Sequence, residues 1–258
     1  MNLRLAGSCL LVLSTVAAAA DNPFIGQWKL NPSKSDFSGE TEKYEDAGGG
    51  RIHFSAGALS FTFTTDGKEH PGMFSGDVTS VKQIDPKTWE QTTRRKGNAL
   101  VTITSTLSDD GNTLTEVVKG TRPDGSSFEN TTTNTRVGSG SGILGTWKSK
   151  GEQQSSPATI EFAANGADGI AFILPNSKAR ADLKFDGKDY PAKGPTVPAG
   201  LTLAVTKTGD RSLDLTQKVK GKPIFKATYT VSDDGQTITR TGGAVGTDEK
   251  TKAVYDKQ

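Results

Sequence analysis

Few side chains in this sequence of 258 residues could do covalent chemistry. Its only cysteine is Cys9, and its only histidines are His53 and His70. Catalysis needs a nucleophile or an acid–base group beside partners that tune its pKa. The sequence has no Ser-His-Asp signature, and its two histidines lack the spacing of metal ligands. We therefore expect no catalytic residue, no cofactor and no bound metal.

The acidic residues cluster in turns. Asp109-Asp110-Gly111 and Asp233-Asp234-Gly235 lack the further oxygen ligands of a calcium loop, so both predict hairpin turns. The formal net charge is only +2, and no basic run stands out. Nucleic acid is therefore not an expected partner, and neither is an acidic membrane surface.

Short segments of alternating character connect these turns. Leu59–Thr64 and Phe225–Ser232 each place apolar residues at every second position and mostly hydroxyl-bearing residues between them. Successive side chains of a strand point to opposite faces, so this pattern predicts strands with one buried face. Many such strands, separated by Gly-rich turns, predict an all-β fold, either a sandwich or a barrel.

The chain contains one module twice. Trp28 corresponds to Trp147, and the segment 66–71 corresponds to 186–191. A third pair of segments, 107–115 and 231–239, follows in the same order. The Gly/Ser run 138–142 lies between the copies and has the composition of a flexible linker. We therefore predict two domains, over residues 21–137 and 143–258.

The start of each copy resembles a known superfamily. Gly26-Gln27-Trp28 and Gly145-Thr146-Trp147 resemble the G-x-W signature on the first strand of calycins, the lipocalins and fatty-acid-binding proteins. The final segment 252–257 resembles the last strand of the fatty-acid-binding group. The whole is similar to a tandem copy of a small exported bacterial lipocalin-like domain. This resemblance implies two antiparallel up-and-down β-barrels of about eight to ten strands, each with its Trp closing one end.

The resemblance also implies a small apolar ligand inside a barrel. The alternation nominates inward-facing residues that could line such a site: Phe61, Phe63, Val101, Ile103, Phe172, Leu203, Leu213, Leu215, Phe225 and Tyr229. A barrel of this size either fills with side chains or holds one small ligand, so a plain core is the alternative. A cavity of ~300 Å³ or more would favour the ligand.

Polar anchors for a ligand are incomplete. The resemblance to fatty-acid-binding proteins implies an Arg and a Tyr two residues apart on the last strand. The second copy keeps Tyr255 but has Ala253 in place of the Arg, and the first copy keeps Arg136 without the Tyr. Arg240, on the same face as Ile238, is a third possible anchor. Fatty-acid binding is therefore not carried over.

Residues 1–20 have the pattern of a secretory signal peptide. Arg4 precedes an apolar stretch, and small residues lead to cleavage after about Ala20. Cleavage removes Cys9, so the mature chain can form no disulfide. We expect an exported protein, periplasmic or secreted, with no inserted membrane segment after leader removal. Its expected function is non-enzymatic binding of a small apolar molecule. The alternative is a pair of solid barrels acting as an envelope interaction or inhibitor module.

Overall fold

The computed structural model describes residues 22–154, 158–247 and 250–258, and side chains within these ranges except those of 152–154. The expected leader, residues 1–20, lies outside the described residues. Among the described residues, none belongs to a helix with the length and apolar character needed to cross a bilayer.

Nearly every described segment is a strand. In chain order the strands are β1 Gly26–Leu30, β2 Thr41–Gly48, β3 Arg51–Ala56, β4 Leu59–Thr64, β5 Asp66–Pro71, β6 Asp77–Asp85, β7 Thr88–Arg95, β8 Asn98–Leu107, β9 Thr113–Thr121, β10 Ser127–Ser141, β11 Leu144–Gln154, β12 Thr159–Ala164, β13 Gly169–Leu174, β14 Ala179–Lys184, β15 Tyr190–Pro191, β16 Leu201–Gly209, β17 Ser212–Val219, β18 Lys222–Val231, β19 Thr237–Ala244 and β20 Thr251–Lys257. Two short 3₁₀ turns, Pro32–Lys34 and Pro175–Ser177, complete the set.

The strands form two antiparallel sheets of ten strands, and each sheet curls into a nearly closed barrel. The first barrel has the order β4-β3-β2-β11-β10-β9-β8-β7-β6-β5. The second has the order β14-β13-β12-β1-β20-β19-β18-β17-β16-β15. The expected fold class, two tandem antiparallel up-and-down barrels, is confirmed.

The assignment of the two Trp strands differs from the expected one. β1, with Trp28, pairs with β12 and β20 in the second barrel. β11, with Trp147, pairs with β10 and β2 in the first. The first barrel is thus built from consecutive strands over residues 41–154, whereas the second combines residues 159–257 with the distant β1. The two Trp segments are alike in sequence, yet each completes a different sheet.

The Gly/Ser run 138–142 also differs from expectation. It continues β10 to Ser141, and β11 begins at Leu144, so most of the run belongs to a hairpin. Arg136 holds this hairpin by donating from Nη2 to the carbonyl of Gly142 at 2.6 Å and from Nη1 to that of Leu144 at 2.6 Å. Composition alone suggested a linker, but these contacts give the backbone a fixed partner.

The two barrels close differently. In the second, Arg180 and Lys193 exchange backbone hydrogen bonds of 2.9 and 2.8 Å across the seam beside β14. In the first, β4 and β5 are the two ends of the sheet and are not paired. Across this seam a side-chain contact of 2.8 Å joins Thr64 Oγ1 to His70 Nε2. The first barrel is the less tightly closed of the two.

Candidate functional site

Two adjoining cavities lie inside the first barrel. One has a volume of about 190 Å³ and the other about 350 Å³. Both are bordered by Phe61, Met73, Gln91 and Ile103, so the two spaces share a wall. The inward-facing residues of β4, β6, β7, β8 and β9 provide most of the lining, as the alternation along each strand requires. Together the cavities form the candidate site.

An aromatic row forms one side of the smaller cavity. Tyr44, Phe54, Phe61 and Phe63 follow one another across β2, β3 and β4, with successive ring centroids 5.1, 5.7 and 5.4 Å apart. Tilted rings at these separations attract each other and present a large apolar surface. Trp89, from β7, adds a buried indole to the lining.

Two carboxylic acids stand at one end of this apolar space. Glu42 and Glu116 border the 190 Å³ cavity and also a smaller one of about 160 Å³ beyond it. Asn134 Nδ2 donates to Glu42 Oε1 and to Glu116 Oε2, both at 3.0 Å. Ser105 Oγ and the Tyr44 hydroxyl donate to Glu116 Oε1 at 3.1 and 3.3 Å. These partners are all neutral donors.

Burial changes the acidity of this end of the cavity. Loss of solvation, together with the neighbouring Glu116 carboxyl, raises the pKa of Glu42 well above its usual range. A hydrogen bond between the two carboxyls contributes to the same shift. Burial also raises the pKa of the Tyr44 phenol, and both glutamates add to that effect. Because Glu42 favours its neutral form, this end carries less negative charge than two free carboxylates would.

An ion pair stands on the wall of the larger cavity. Arg95 donates to Asp77 from Nε at 2.6 Å and from Nη2 at 3.0 Å. Arg95 lies six positions after Trp89 along β7, which is about 20 Å at the rise of a strand. Trp89 is level with Glu116 through the pairing of β7, β8 and β9. Thr196 and Pro198, from the loop between β15 and β16 of the second barrel, complete the lining here.

The interior of the second barrel is packed with side chains. Phe162, Phe172 and Tyr229 meet one another there, with ring centroids 5.2 to 6.2 Å apart. Each of these three residues is at most 7% exposed. A depression of about 540 Å³ lies on the outer side of this barrel, bordered by exposed polar residues such as Asp214, Lys226 and Thr241. It is a polar groove and is not an interior site.

Strand pairing explains why one barrel is hollow and the other is not. Ser105 lies between Trp89 and Glu116 in the first sheet, and Tyr229 lies between Leu213 and Arg240 in the second. Ser105 and Tyr229 therefore occupy equivalent positions. The hydroxymethyl group of serine leaves empty the volume that the phenol ring of Tyr229 fills.

Other equivalent positions differ in polarity. Glu42 faces Trp147 across the sheet, as Ile160 faces Trp28. The pair Asp77 and Arg95 corresponds to Leu201 and Val219. Gln91 corresponds to Leu215, and Glu116 to Arg240. The first barrel thus places polar groups where the second places mostly apolar ones.

The residues nominated from the sequence fall into two groups. Phe61, Phe63, Val101 and Ile103 lie on cavity walls of the first barrel. The rest belong to the packed core of the second: Phe172, Leu203, Leu213, Leu215 and Tyr229 are buried, and Phe225 packs against them. The structure therefore brings only the first group together around open space.

The three nominated polar anchors lie away from the cavities. Arg136 stacks over Trp147, with its Cζ 4.1 Å from the ring centroid, and its guanidinium serves the carbonyls of Gly111, Leu144 and Gly142. Arg240 lies in the second barrel, over the ring of Phe225 at 5.3 Å. Tyr255 is buried in the same core. Arg136 is thus occupied by its own hairpin.

The Gly and Trp residues of the G-x-W motifs have matching structural roles. Trp28 and Trp147 are fully buried, and each donates from Nε1 to a carbonyl four residues earlier, that of Phe24 at 2.9 Å or Ile143 at 2.8 Å. Gly26 and Gly145 have φ values of 137° and 138°, which disfavour any residue with a Cβ. A Cβ on Gly145 would also lie 2.7 Å from Arg136 Nη1.

Neither histidine borders the two cavities. His53 Nδ1 lies 3.1 Å from Thr62 Oγ1, and His70 Nε2 lies 3.0 Å from Asp66. Within the described ranges, no three His, Cys, Asp or Glu side chains are grouped as metal ligands.

No family model, curated protein or solved structure matches this chain.

The sequence did not reveal the polar half of the site. Glu42, Asp77, Arg95, Ser105, Glu116 and Asn134 were not nominated. Most of them interrupt an apolar face, and periodicity treats such residues as exceptions. The duplicated segments 107–115 and 231–239 did contain a usable signal. When their alignment is extended two residues towards the N-terminus, Ser105 is aligned with Tyr229.

Proposed function

We propose that the first barrel binds a small, mainly apolar molecule in its interior, and that the protein is a non-enzymatic binding protein. The observation that carries this proposal is the pair of adjoining cavities, lined by aromatic and aliphatic side chains. Binding sites for small molecules are typically concave and mostly apolar, with a few polar groups that orient the ligand. The glutamate pair and the Asp77–Arg95 pair supply such groups.

The second barrel is assigned a supporting role. Its interior is filled by Phe162, Phe172 and Tyr229, and the loop carrying Thr196 and Pro198 borders the larger cavity of its neighbour. A filled interior fits the alternative of a barrel that works through its outer surface. We assign the ligand to the first barrel only.

The expected compartment remains part of the proposal. The pattern of residues 1–20 supports export, where the protein would take up its ligand outside the cytoplasm. Mass spectrometry of the protein recovered from its producing cells tests this point. A mature chain starting near Asp21 is expected, and a cytoplasmic chain that retains Met1 or Asn2 would contradict export.

A neutral fluorescent probe tests the binding proposal. N-phenyl-1-naphthylamine gains fluorescence in apolar surroundings, and Trp89 on the cavity wall is close enough to transfer energy to it. We expect saturable binding to one site per chain. Ser105→Tyr should weaken binding, because it places in the smaller cavity, which adjoins the larger one, the ring that Tyr229 places in the second barrel.

A control variant separates filling from general damage. Thr106→Tyr introduces the same ring one residue further along β8, at an exposed position on the outer face. This variant should bind the probe as the parent does. If the parent does not bind the probe, or if Ser105→Tyr binds it as well as Thr106→Tyr does, the proposed function is wrong.

A further inference from the structure

The guanidinium of Arg95 uses only part of its hydrogen-bonding capacity. Its Nε and Nη2 donate to the two carboxylate oxygens of Asp77. Its Nη1 is buried and contacts no hydrogen-bond acceptor among the described residues. The Arg95 and Asp77 side chains are 11% and 4% exposed. Leaving a buried donor unpaired is unfavourable, so an unpaired one calls for an explanation.

The surroundings of Arg95 limit what can pair with Nη1. Arg95 lies on the wall of the 350 Å³ cavity, together with apolar residues such as Phe61, Leu100 and Ile103. The described protein groups near it leave Nη1 without an acceptor. Because Nη1 itself is buried, an oxygen of a molecule in the cavity reaches it only after a small rotation of the guanidinium or of a neighbouring side chain, while the apolar part of the molecule rests on the lining residues.

The charges inside the barrel select among possible oxygens. Asp77 already balances the charge of Arg95 through a bidentate ion pair. Glu42 and Glu116 stand further along the same interior. A ligand carboxylate would add a buried negative charge without a free cation to balance it. A neutral carbonyl oxygen accepts the hydrogen bond without that penalty.

The second barrel shows that the fold does not need this ion pair. Leu201 and Val219 occupy the equivalent positions and face each other across β16 and β17. Replacing a buried ion pair by apolar residues is often neutral or stabilising, so stability does not account for Asp77 and Arg95. A role in recognition accounts for both the pair and its unused donor.

We propose that the larger cavity of the first barrel recognises apolar molecules carrying a neutral carbonyl group, whose oxygen accepts a hydrogen bond from Arg95 Nη1. This inference rests on the proposed function and narrows it to a class of ligand. The class comprises ketones, esters and amides with an apolar body that fits about 350 Å³.

A matched series of naphthalenes tests the class on the whole protein. The compounds are 2-ethylnaphthalene, 2-acetylnaphthalene, 2-naphthoate and 2-naphthylmethylammonium, which share one ring system and differ in the head group. Each competes with bound N-phenyl-1-naphthylamine. We expect 2-acetylnaphthalene to bind about ten-fold more tightly than 2-ethylnaphthalene, as one hydrogen bond from a charged donor predicts. The anion and the cation should bind more weakly than the ketone.

Variants at Arg95 link the preference to this group. Arg95→Lys keeps a positive charge beside Asp77 but removes the additional guanidinium nitrogen, Nη1, that would donate to the ligand. The Arg95→Lys variant should bind 2-acetylnaphthalene about ten-fold more weakly than the parent and should bind 2-ethylnaphthalene with unchanged affinity. Arg94→Lys, at the neighbouring and more exposed position, should change neither. The double variant Asp77→Leu/Arg95→Val copies the second barrel and should also lose the preference while remaining folded.

Three results would overturn the inference while leaving the proposed function intact. One is equal affinity of the parent for the ketone and the ethyl compound. Another is tightest binding of the anion or the cation. The third is an equal loss of both neutral ligands in Arg95→Lys with no change in the double variant's preference. Failure of every compound and of the probe to bind would instead overturn the proposed function.

Discussion

The two barrels share strand count, strand order and a buried Trp, yet among the described residues the first has two adjoining cavities in its interior while the second is packed with side chains. The difference traces to a few inward positions. Ser105 replaces the ring of Tyr229, and Gln91 replaces Leu215 in the layer beside it. The same backbone topology therefore accommodates an interior that is filled by side chains or one that holds open volume.

Replacing each Trp by Ala should give the largest loss of stability and should show whether the two barrels unfold independently. Trp147→Ala should destabilise the first barrel by about 3–5 kcal/mol and abolish probe binding, because it empties a fully buried site. Trp28→Ala should cost the second barrel a similar amount and leave the probe bound. Urea titration followed by probe fluorescence and by far-UV circular dichroism measures both. If Trp28→Ala releases the probe as readily as Trp147→Ala does, the barrels unfold as one unit.

Exchanging the residues at the Ser105 and Tyr229 positions should have unequal consequences. Tyr229→Ser removes a ring that contacts Phe162 and Phe172, so the second barrel should lose about 2–4 kcal/mol. Ser105→Tyr adds a ring where open volume exists, so its cost should stay below about 1.5 kcal/mol. Chemical denaturation of both variants gives the comparison. A larger loss from Ser105→Tyr than from Tyr229→Ser would contradict the difference in filling.

The cations stacked on the two Trp residues should differ in importance. Arg136 lies 4.1 Å from the Trp147 ring and also serves three backbone carbonyls, whereas Lys257 lies 5.2 Å from the Trp28 ring. Arg136→Lys should therefore cost about 1–3 kcal/mol. Lys257→Arg should stay within about 0.5 kcal/mol. Thermal unfolding measures both, and equal losses would show that the hairpin contacts of Arg136 contribute little.

A smaller effect should appear in the pH dependence of the first barrel alone. Glu42 has a raised pKa in the folded protein, so the folded state holds a proton that the unfolded chain releases above the ordinary glutamate value. The stabilising contribution of this bound proton is therefore fully present at acidic pH, and it is lost as pH rises through the folded-state pKa of Glu42. Glu42→Gln should remove this loss and raise the melting temperature at pH 8 by a few degrees.

The second barrel supplies the internal reference for that measurement, because Ile160 occupies the position equivalent to Glu42. Its unfolding transition should show no such dependence on this group in either protein. The discriminating range is about pH 5 to 8, above the ordinary pKa values of aspartate and glutamate. A melting temperature of the first barrel that rises with pH there in the parent, or one that Glu42→Gln leaves unchanged, would contradict the burial of a neutral Glu42.

Much of the fold could be predicted from the sequence because its signals are local. The alternation in Leu59–Thr64 and Phe225–Ser232 marks strands, and the glycines at 26 and 145 mark the approach to each Trp. The partner of each Trp strand could not be predicted. Gly26-Gln27-Trp28-Lys29 and Gly145-Thr146-Trp147-Lys148 are nearly interchangeable, and which barrel each completes depends on contacts far away in the chain.

The apolar lining of the site could be predicted for the same reason, because the alternation identifies Phe61, Phe63, Val101 and Ile103 as inward-facing. The cavity itself was not, because open volume is a property of all facing side chains together. Charged residues such as Glu42 and Arg95 break the apolar period, so they resemble surface residues until strand pairing shows that they face inward.

The placement of β1 affects the order in which the molecule can assemble. Leu30 pairs with Tyr255, so the second barrel gains its missing strand only after nearly the whole polypeptide has emerged. The hollow barrel needs only consecutive strands, β2 to β11, and can form first during synthesis. Until both neighbours of β1, β12 and β20, are in place, the Trp28 indole lacks the complete core that buries it.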